Sequence, residues 1–123
     1  MKAIGIIGSP RKNGNTEILT GYTLKAIADE GLEIELIRLA GRDIRPCNAC
    51  MVCKEEEKCP IEDDFLPIYN KMKEADAIIL ASPVYQGSAT ALLKGLMERA
   101  NYIGRHKRVF AGKVGGPLVV ARR

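Results

Sequence analysis

Residues 2–16 read KAIGIIGSPRKNGNT, a short apolar run followed by a small, polar and basic turn. The run from Lys2 to Gly8 is almost unbroken, which is typical of a strand that is buried on both faces of a parallel sheet. The next segment, Glu17 to Glu30, repeats apolar residues at helical spacing. They are Ile18, Leu19, Tyr22 and Ala26. A strand, a turn and a helix in this order place free backbone N–H groups and the positive end of the helix dipole at the turn, so we expect an anion to bind there.

The turn carries side chains that suit a phosphate group. Hydroxyl, amide and guanidinium groups all donate hydrogen bonds to phosphate oxygens. The candidates are Ser9, Arg11, Asn15 and Thr16. The turn has neither a Walker lysine nor a G-x-G-x-x-G pattern. A structural alternative stays open, in which Asn15 is only a helix cap and Gly14 only a turn residue.

The rest of the chain continues the alternation of strands and helices. Leu32 to Leu39 alternates like a half-exposed edge strand, Asp76 to Ala81 is a second buried strand, and Lys113 to Ala121 is a fourth strand. Helices are predicted from about Phe65 to Glu74 and from Ala89 to Ile103. This order predicts an α/β fold with an open, mostly parallel sheet, flavodoxin-like in its strand order 2-1-3-4, with helices on both faces.

A second loop, SPVYQGS at residues 82–88, follows the third predicted strand, and Ser88 is a good N-cap for the helix after it. In open parallel sheets, ligands bind at the carboxyl ends of strands near the topological switch point. With the flavodoxin-like order, residues 9–16 and 82–88 follow neighbouring strands; we call them the strand-end loops. The first suits a phosphate, and the second offers Pro83, Tyr85 and free amides to a flat ring. Together they predict FMN.

All four cysteines lie within one irregular stretch, residues 40–64, which we call the cysteine segment. They are Cys47, Cys50, Cys53 and Cys59. The C-x2-C-x2-C run lets one tight loop present three thiolates to three irons of a cubane, and Cys59 supplies the fourth, which favours a single [4Fe–4S] cluster. Structural zinc is the alternative, although it usually takes two separated C-x2-C pairs. Disulfides are disfavoured because the chain starts at Met1 with no signal peptide.

Composition and charge exclude several classes of function. The 123 residues suit a single domain, 1–123, in which the cysteine segment is an insertion at about 40–64. No apolar run approaches the roughly 20 residues that span a bilayer, so we expect no membrane association and a cytoplasmic location. The net charge of +4 comes with 5% aromatic residues and no Trp, which gives nucleic-acid binding little support. His106 is interpreted as a surface residue, and Glu98 as a helix-surface partner for Lys94 or Arg99.

Three motifs in this order resemble the iron-sulfur flavoproteins of anaerobic archaea and bacteria, within the flavodoxin-like NADPH-dependent FMN reductase superfamily. The motifs are GSPRKNGNT, the compact cysteine run and SPVYQGSATALLKGLMER. The resemblance covers essentially the whole chain, and it implies FMN bound non-covalently beside a four-iron cluster. It assigns the phosphate to Ser9, Arg11, Asn15 and Thr16, the flavin ring to Pro83, Val84, Tyr85 and Gly87, and the cluster to the four cysteines. It also implies a homodimer or tetramer in which FMN and cluster of adjacent subunits approach each other.

These features predict an electron-transfer flavoprotein or oxidoreductase that couples one- and two-electron transfer, with a redox partner such as ferredoxin or NAD(P)H. No acid–base catalytic residue is expected. Two alternatives stay open: an NAD(P)H-dependent FMN or quinone reductase without a cluster, and a truncated non-catalytic subunit. Members of the family usually continue through a fifth strand and a closing helix, whereas Arg123 is the last residue here, so we expect the fifth strand to be missing or to be supplied by a partner. We therefore expect an unprotected fourth strand and a chain that self-associates or is poorly stable.

Overall fold

The computed structural model describes residues 1–105 and 107–121 and shows strands alternating with helices. The elements are β1 Lys2–Ile7, α1 Asn15–Asp29, β2 Glu33–Arg38, α2 Phe65–Glu74, β3 Ala77–Pro83, α3 Ala91–Gly104 and β4 Val114–Val120, with a short 3-10 helix at Val52–Lys54. Of the helices described, none has the length and apolar character needed to cross a membrane. His106, predicted to be a surface residue, lies outside the described residues.

The four strands form one parallel sheet. β1 pairs with β2 on one side and with β3 on the other, and β3 pairs with β4, which gives the order β2-β1-β3-β4. This confirms the predicted flavodoxin-like order. Ile7 pairs with Ala81, and the Gly8 N–H donates to the Ala81 carbonyl at 2.8 Å. The two strand-end loops therefore start side by side at the same edge of the sheet.

The larger core lies between the sheet and the helices α2 and α3. Ile4 and Ile6 of β1 are fully buried in one apolar cluster with residues of both helices. The helical members of this cluster are Phe65, Ile68, Tyr69, Met72, Leu93, Leu96, Ala100 and Ile103. Because side chains alternate along a strand, Gly5 between the two isoleucines faces the opposite side of the sheet. That side is covered by α1.

Helix α1 packs so closely on β1 that its predicted buried face is wrong. A Cβ atom on Gly5 would lie 2.8 Å from Thr20 Cγ2 and 3.0 Å from Leu24 Cδ1, so only glycine permits this approach. The helix buries Thr16, Thr20 and Leu24, whereas Tyr22 of the predicted face is 72% exposed. The Thr20 hydroxyl donates to the Thr16 carbonyl at 2.7 Å, which satisfies its polar group inside the protein. Two threonines and a leucine thus occupy the buried face in place of the expected apolar residues.

Helix α3 begins at Ala91, and its N-cap is Thr90 rather than the predicted Ser88. Thr90 Oγ1 accepts a hydrogen bond from the Leu93 N–H at 3.3 Å and donates one to the Gly8 carbonyl at 2.6 Å. The same hydroxyl thus caps the helix and ties it to the end of β1. The contact with Gly8, which is distant in the sequence, favours Thr90 over Ser88 as the cap.

Candidate functional site

The first strand-end loop presents backbone N–H groups at the start of α1. Gly14 is the N-cap, with an extended conformation (φ −81°, ψ 171°), so the alternative in which Asn15 is the cap is wrong. The Ile18 N–H donates to the Gly14 carbonyl at 3.0 Å. The N–H groups of the three residues between them, in the first helical turn, have no acceptor within the helix. Ser9 and Thr16 are almost fully buried on either side of this turn.

A carboxylate fixes the shape of the same loop. Asn13 has a left-handed backbone (φ 55°), and its N–H donates to Glu17 Oε2 at 3.2 Å. Arg38 of β2 donates to Glu17 Oε1 from Nε at 3.0 Å and from Nη2 at 2.5 Å. The hydrogen bonds from Arg38 hold the pKa of Glu17 below its ordinary value. Arg38 thereby offsets a negative charge close to the predicted anion site.

The second strand-end loop is a tight hairpin turn. Tyr85 and Ser88 exchange two backbone hydrogen bonds, at 2.9 and 3.1 Å, around Gln86 and Gly87. Both central residues have positive φ, 51° and 72°, as a type I′ turn requires. The Val84 N–H donates to the Val120 carbonyl of β4 at 3.0 Å. The amides of Val84 and Tyr85, predicted to be free for a ring, are therefore engaged within the protein.

A cavity of ≈570 Å³ lies between the two strand-end loops. Its lining includes Ser9, Arg11, Asn15, Thr16, Pro83, Val84 and Tyr85, together with Gly14, Val120 and Ala121. Seven of the eight residues predicted to bind FMN thus meet at one cavity. Gly87 is outside the lining, so its contact with the ring stays a prediction. Polar and cationic groups come from the first loop and an apolar and aromatic wall from the second, which suits a phosphate attached to a flat ring.

A smaller cavity, of ≈140 Å³, is lined by all four cysteines. The wall is completed by residues of the cysteine segment and by Glu98, Arg99, Tyr102 and Ile103 of α3. An engineered protein cavity of about 150 Å³ admits one benzene molecule, so this volume suits one compact centre. The predicted ligand residues thus share one cavity, against a helix that the sequence did not connect with them.

The backbone around the cysteines is strained. Ala49 and Met51 both have left-handed conformations, with φ of 57° and 66°. Such a residue costs of order 1–3 kcal/mol when it is not glycine, and such conformations cluster at functional sites. The Ala49 N–H donates to Cys47 Sγ at 3.4 Å, and the Cys50 N–H to Asn48 Oδ1 at 3.3 Å. The first of these bonds turns a backbone donor toward a cysteine sulfur.

Within residues 1–105 and 107–121, no three His, Cys, Asp or Glu side chains form a group that could hold a single metal ion. A tetrahedral zinc site needs its sulfur ligands about 2.3 Å from one point. The ligands of a cubane bind different irons and surround the cluster instead. Four thiols around a common cavity, with N–H donors directed at two of their sulfurs, are a donor set that fits an iron-sulfur cluster.

Arg99 is the main residue of this site that sequence reasoning missed. Its side chain is 2% exposed and pairs with Asp63, whose side chain is fully buried. Burial raises the pKa of Asp63, but hydrogen bonds from Arg99 and from two backbone N–H groups outweigh it and leave the pKa below its usual value. The available signal was the helical spacing of Arg99 with Leu96 and Ile103, which places a cation on the apolar face of α3.

Two glutamates also hold the cysteine segment in place. Glu98 accepts a hydrogen bond from the Cys47 N–H at 3.4 Å, so its predicted role as a partner of Lys94 or Arg99 is wrong. Glu57 lies between Lys73 and Lys107 and accepts a hydrogen bond from the Tyr69 hydroxyl at 3.0 Å. These contacts lower the pKa of Glu57 to about 2, and the hydrogen bond from Lys73 has the largest effect.

Comparison with known proteins places these features in a family. The family model described as NADPH-dependent FMN reductase matches residues 1–123. An iron-sulfur flavoprotein of Methanocaldococcus jannaschii is 54% identical over 122 residues, a match that covers 98% of this chain and 62% of that protein. An iron-sulfur flavoprotein of Methanosarcina thermophila is 40% identical over 98% of this chain and 63% of its own length. The chain thus spans less than two thirds of the relatives that it matches.

Solved structures show the same fold at lower identity. The NAD(P)H:quinone oxidoreductase of Methanothermobacter marburgensis superposes with a TM-score of 0.73 at 16% identity, over 98% of this chain and 63% of that chain. The FMN-dependent NADH-azoreductase of Bacillus anthracis, solved in complex with FMN, gives a TM-score of 0.71 at 14% identity, over 98% and 69%.

Proposed function

The chain belongs to the NADPH-dependent FMN reductase family, and from that premise we propose that it is a flavin-dependent oxidoreductase with FMN and one [4Fe–4S] cluster. FMN would lie between the two strand-end loops, and the cluster on Cys47, Cys50, Cys53 and Cys59. The observation that carries the flavin site is the single cavity in which seven predicted residues from two separate loops meet. When bound, FMN exchanges electrons singly or in pairs and a cubane exchanges one at a time, so the two together interconvert these modes.

Different residues of the flavin cavity are assigned to the phosphate and to the ring of FMN. The free N–H groups at the start of α1, the hydroxyls of Ser9 and Thr16 and the Arg11 guanidinium hold the phosphate. Pro83 and Val84 give the ring an apolar surface, and Tyr85, beside the turn, an aromatic one. Thr90 fixes the end of β1 against α3, so that the two loops keep their spacing.

Two observations support the cluster. The relatives named above are iron-sulfur flavoproteins, and the four cysteines of this chain line one cavity of suitable size. Ala49 and Arg99 already direct N–H groups at cysteine sulfurs, and hydrogen bonds of this kind to ligand sulfurs orient the ligands and tune a cluster. The protein's own contribution is to hold the thiols around the cavity and to shield it with α3.

Anaerobic reconstitution with FMN, iron and sulfide tests the proposal. We expect flavin absorbance together with a broad, bleachable brown absorbance and about four irons per chain. A yellow, iron-free protein that oxidises NADPH would favour a flavin or quinone reductase without a cluster. A colourless protein would favour a non-catalytic subunit and would contradict the flavin site.

The ligand assignment has its own test in Cys50→Ala. This variant is expected to lose the iron signal and to keep FMN affinity, because Cys50 lines the cysteine cavity and lies outside the flavin cavity. Lys54→Ala, a change in the same segment outside the cavity lining, is the matched control and should keep its iron. Unchanged iron content in Cys50→Ala would show that the ligand set is wrong.

A homodimer or tetramer, with ferredoxin or NAD(P)H as redox partner, is part of the same proposal. β4 pairs with β3 along one side, and its Val114 and Val119 are largely exposed. A strand edge of this kind pairs readily with another chain. We expect the 123-residue chain to sediment as an oligomer, and a thermally robust monomer would contradict this.

A further inference from the structure

The guanidinium of Arg99 is the point where both ends of the cysteine segment meet. Nη1 donates to the Arg45 carbonyl at 3.0 Å, two residues before Cys47. Nη2 donates to Asp63 Oδ1 at 3.0 Å and to Cys59 Sγ at 3.3 Å. Asp63 in turn accepts the Arg45 N–H at 2.9 Å. One side chain of α3 therefore binds the start of the segment, its end and one of its cysteines.

The number of donors on this guanidinium exceeds the number of acceptors around it. Arginine has five N–H groups, and four contacts to Asp63, Arg45 and Cys59 are present. In the described part of the chain, Arg99 Nε is the one buried side-chain nitrogen or oxygen that has no hydrogen-bond partner. The Phe65 ring lies 4.1 Å from the guanidinium carbon and accepts no conventional hydrogen bond. Arg99 thus lines the cysteine cavity and has one N–H donor without a partner. Such a cation is suited to sulfur acceptors.

We propose that Arg99 is a positioning residue for the cluster: it holds Cys59 in place, and its hydrogen bond and positive charge raise the reduction potential of the cluster bound there. The inference rests on the cluster proposed above. Cys59 needs such a partner more than the other three cysteines, because it lies outside the compact C-x2-C-x2-C run and no tight turn fixes it.

The direction of the effect follows from charge. Reduction by one electron makes the cluster and its thiolates more negative, and a nearby cation with an N–H on a ligand sulfur stabilises that form. The shift in potential is the difference between the strengths of this interaction in the reduced and the oxidised state, because the hydrogen bond is present in both. For one electron, a tenfold difference between the two states is about 59 mV.

The test is a dithionite titration of reconstituted protein followed by EPR. We expect Arg99→Gln to lower the midpoint potential, by about 59 mV for each tenfold of lost preference for the reduced state, and to alter the spectrum of the reduced cluster. Lys94→Gln removes the same charge from the exposed side of the same helix and should leave both unchanged. A purely structural role would change stability but not the potential of the cluster in protein that holds four irons.

Arg99→Lys is the second variant, because Arg99→Gln leaves the buried Asp63 without its partner and is at risk of misfolding. Lysine keeps the charge and loses the fork that binds Asp63 and Cys59 together. We expect an intermediate potential. In wild-type protein carrying ¹⁵N-arginine, pulsed EPR of the reduced cluster should detect nitrogen coupling; Arg45→Lys should keep it.

The outcomes separate the two proposals. Wild-type protein that takes up no iron contradicts the cluster, and the role of Arg99 with it. Wild-type protein that holds four irons but shows no ¹⁵N-arginine coupling contradicts Arg99 alone, as does an unchanged potential in Arg99→Gln or Arg99→Lys. FMN affinity in these variants reports on the flavin site independently and should stay within about twofold, since Arg99 is outside that cavity.

Discussion

The strand-end loops and the cysteine segment belong to the same domain, but different interactions hold them in place. The loops follow directly from the register of β1 and β3, and the hairpin of the second loop is closed by local backbone bonds between Tyr85 and Ser88. The cysteine segment has little regular structure and is held by a few charged side chains of α2 and α3, above all Arg99. The geometry of the flavin site thus depends on the fold of the sheet, whereas the geometry of the cysteine site depends on a few side-chain contacts.

The largest effect should come from Asp63→Asn, which breaks the contact on which the cysteine segment most depends. The change leaves the Arg99 charge buried without a counter-ion, at a cost of about 3–5 kcal/mol in the free energy of unfolding. Urea unfolding measures it. Asp43→Asn is the control, because Asp43 pairs with Arg45 at 3.6 Å on the surface and should cost under about 1 kcal/mol. If both variants lost the same free energy of unfolding, the buried pair would stabilise the protein no more than the surface pair does.

Arg11→Gln should weaken FMN binding at the strand-end loops and leave the cysteine segment unaffected. We expect FMN affinity to fall by about tenfold to a hundredfold, since a hydrogen bond to a charged group is worth about 1.5–3 kcal/mol. Riboflavin, which has no phosphate, should bind equally to both proteins, and iron content should not change. Lys12→Gln is the matched control, because Lys12 is the neighbouring cation outside the cavity lining. A loss that riboflavin shares would show that Arg11 does not contact the phosphate.

Gly8→Ala tests whether backbone packing sets the spacing of the strand-end loops. The new Cβ would lie 2.7 Å from Leu93 Cβ and 3.1 Å from Thr90 Oγ1, so α3 would have to move away from β1. Overpacking of this kind costs about 1–3 kcal/mol, and FMN should bind more weakly. Thermal unfolding and flavin titration measure the two effects. Gly21→Ala, where nothing lies within 4 Å of the added atom, should be neutral or stabilising.

The smallest effect concerns Glu57 and depends on pH. Its pKa of about 2 lies below the ordinary value of 4.5, so its contribution to stability is fully present above pH 4.5 and is lost as the pH falls toward 2. At pH 7, Glu57→Gln should cost about 1 kcal/mol, because Lys107 is largely exposed. Urea unfolding from pH 7 to pH 2 should show this difference disappearing. A difference that persists at pH 2 would mean that packing, not charge, explains it.

Much of the fold was predictable because hydrophobic runs and their breaks record it directly. Helix α2 has the predicted bounds of Phe65 and Glu74, and the sheet order follows from the alternation of strands and helices. The buried face of α1 was not predictable in this way. Helical spacing gives the positions that share a face, but the contact of Thr20 with Gly5 decides which face turns inward.

The site residues that are close together in the sequence were predictable, and the pairings between distant segments were not. Residues of one turn that line the flavin cavity, such as Arg11 and Thr16, could be predicted to share a site because strand, turn and helix are contiguous in the chain. Helical spacing could have placed Arg99 on the apolar face of α3, but its pairing with Asp63 could not be predicted, since each is one charge among many and the two are 36 residues apart. The ring contact assigned to Gly87 stays a prediction, and the structure shows that this residue meets the conformational demand of its turn.

The bonds of Arg99 also imply an order of events during folding. Its contacts reach 36 residues to Asp63 and 54 residues to Arg45, so the entropy of closing long loops must be overcome before they form. The β1–β2 pairing, in which Lys2 lies opposite Glu33, closes a loop of similar length, but α1 fills that loop with local helical contacts. The cysteines should therefore gather only after α3 has docked, which makes cluster assembly a late step. Hydrogen exchange should then protect the amides of β2 earlier in refolding than the amides of Ala49 and Cys50.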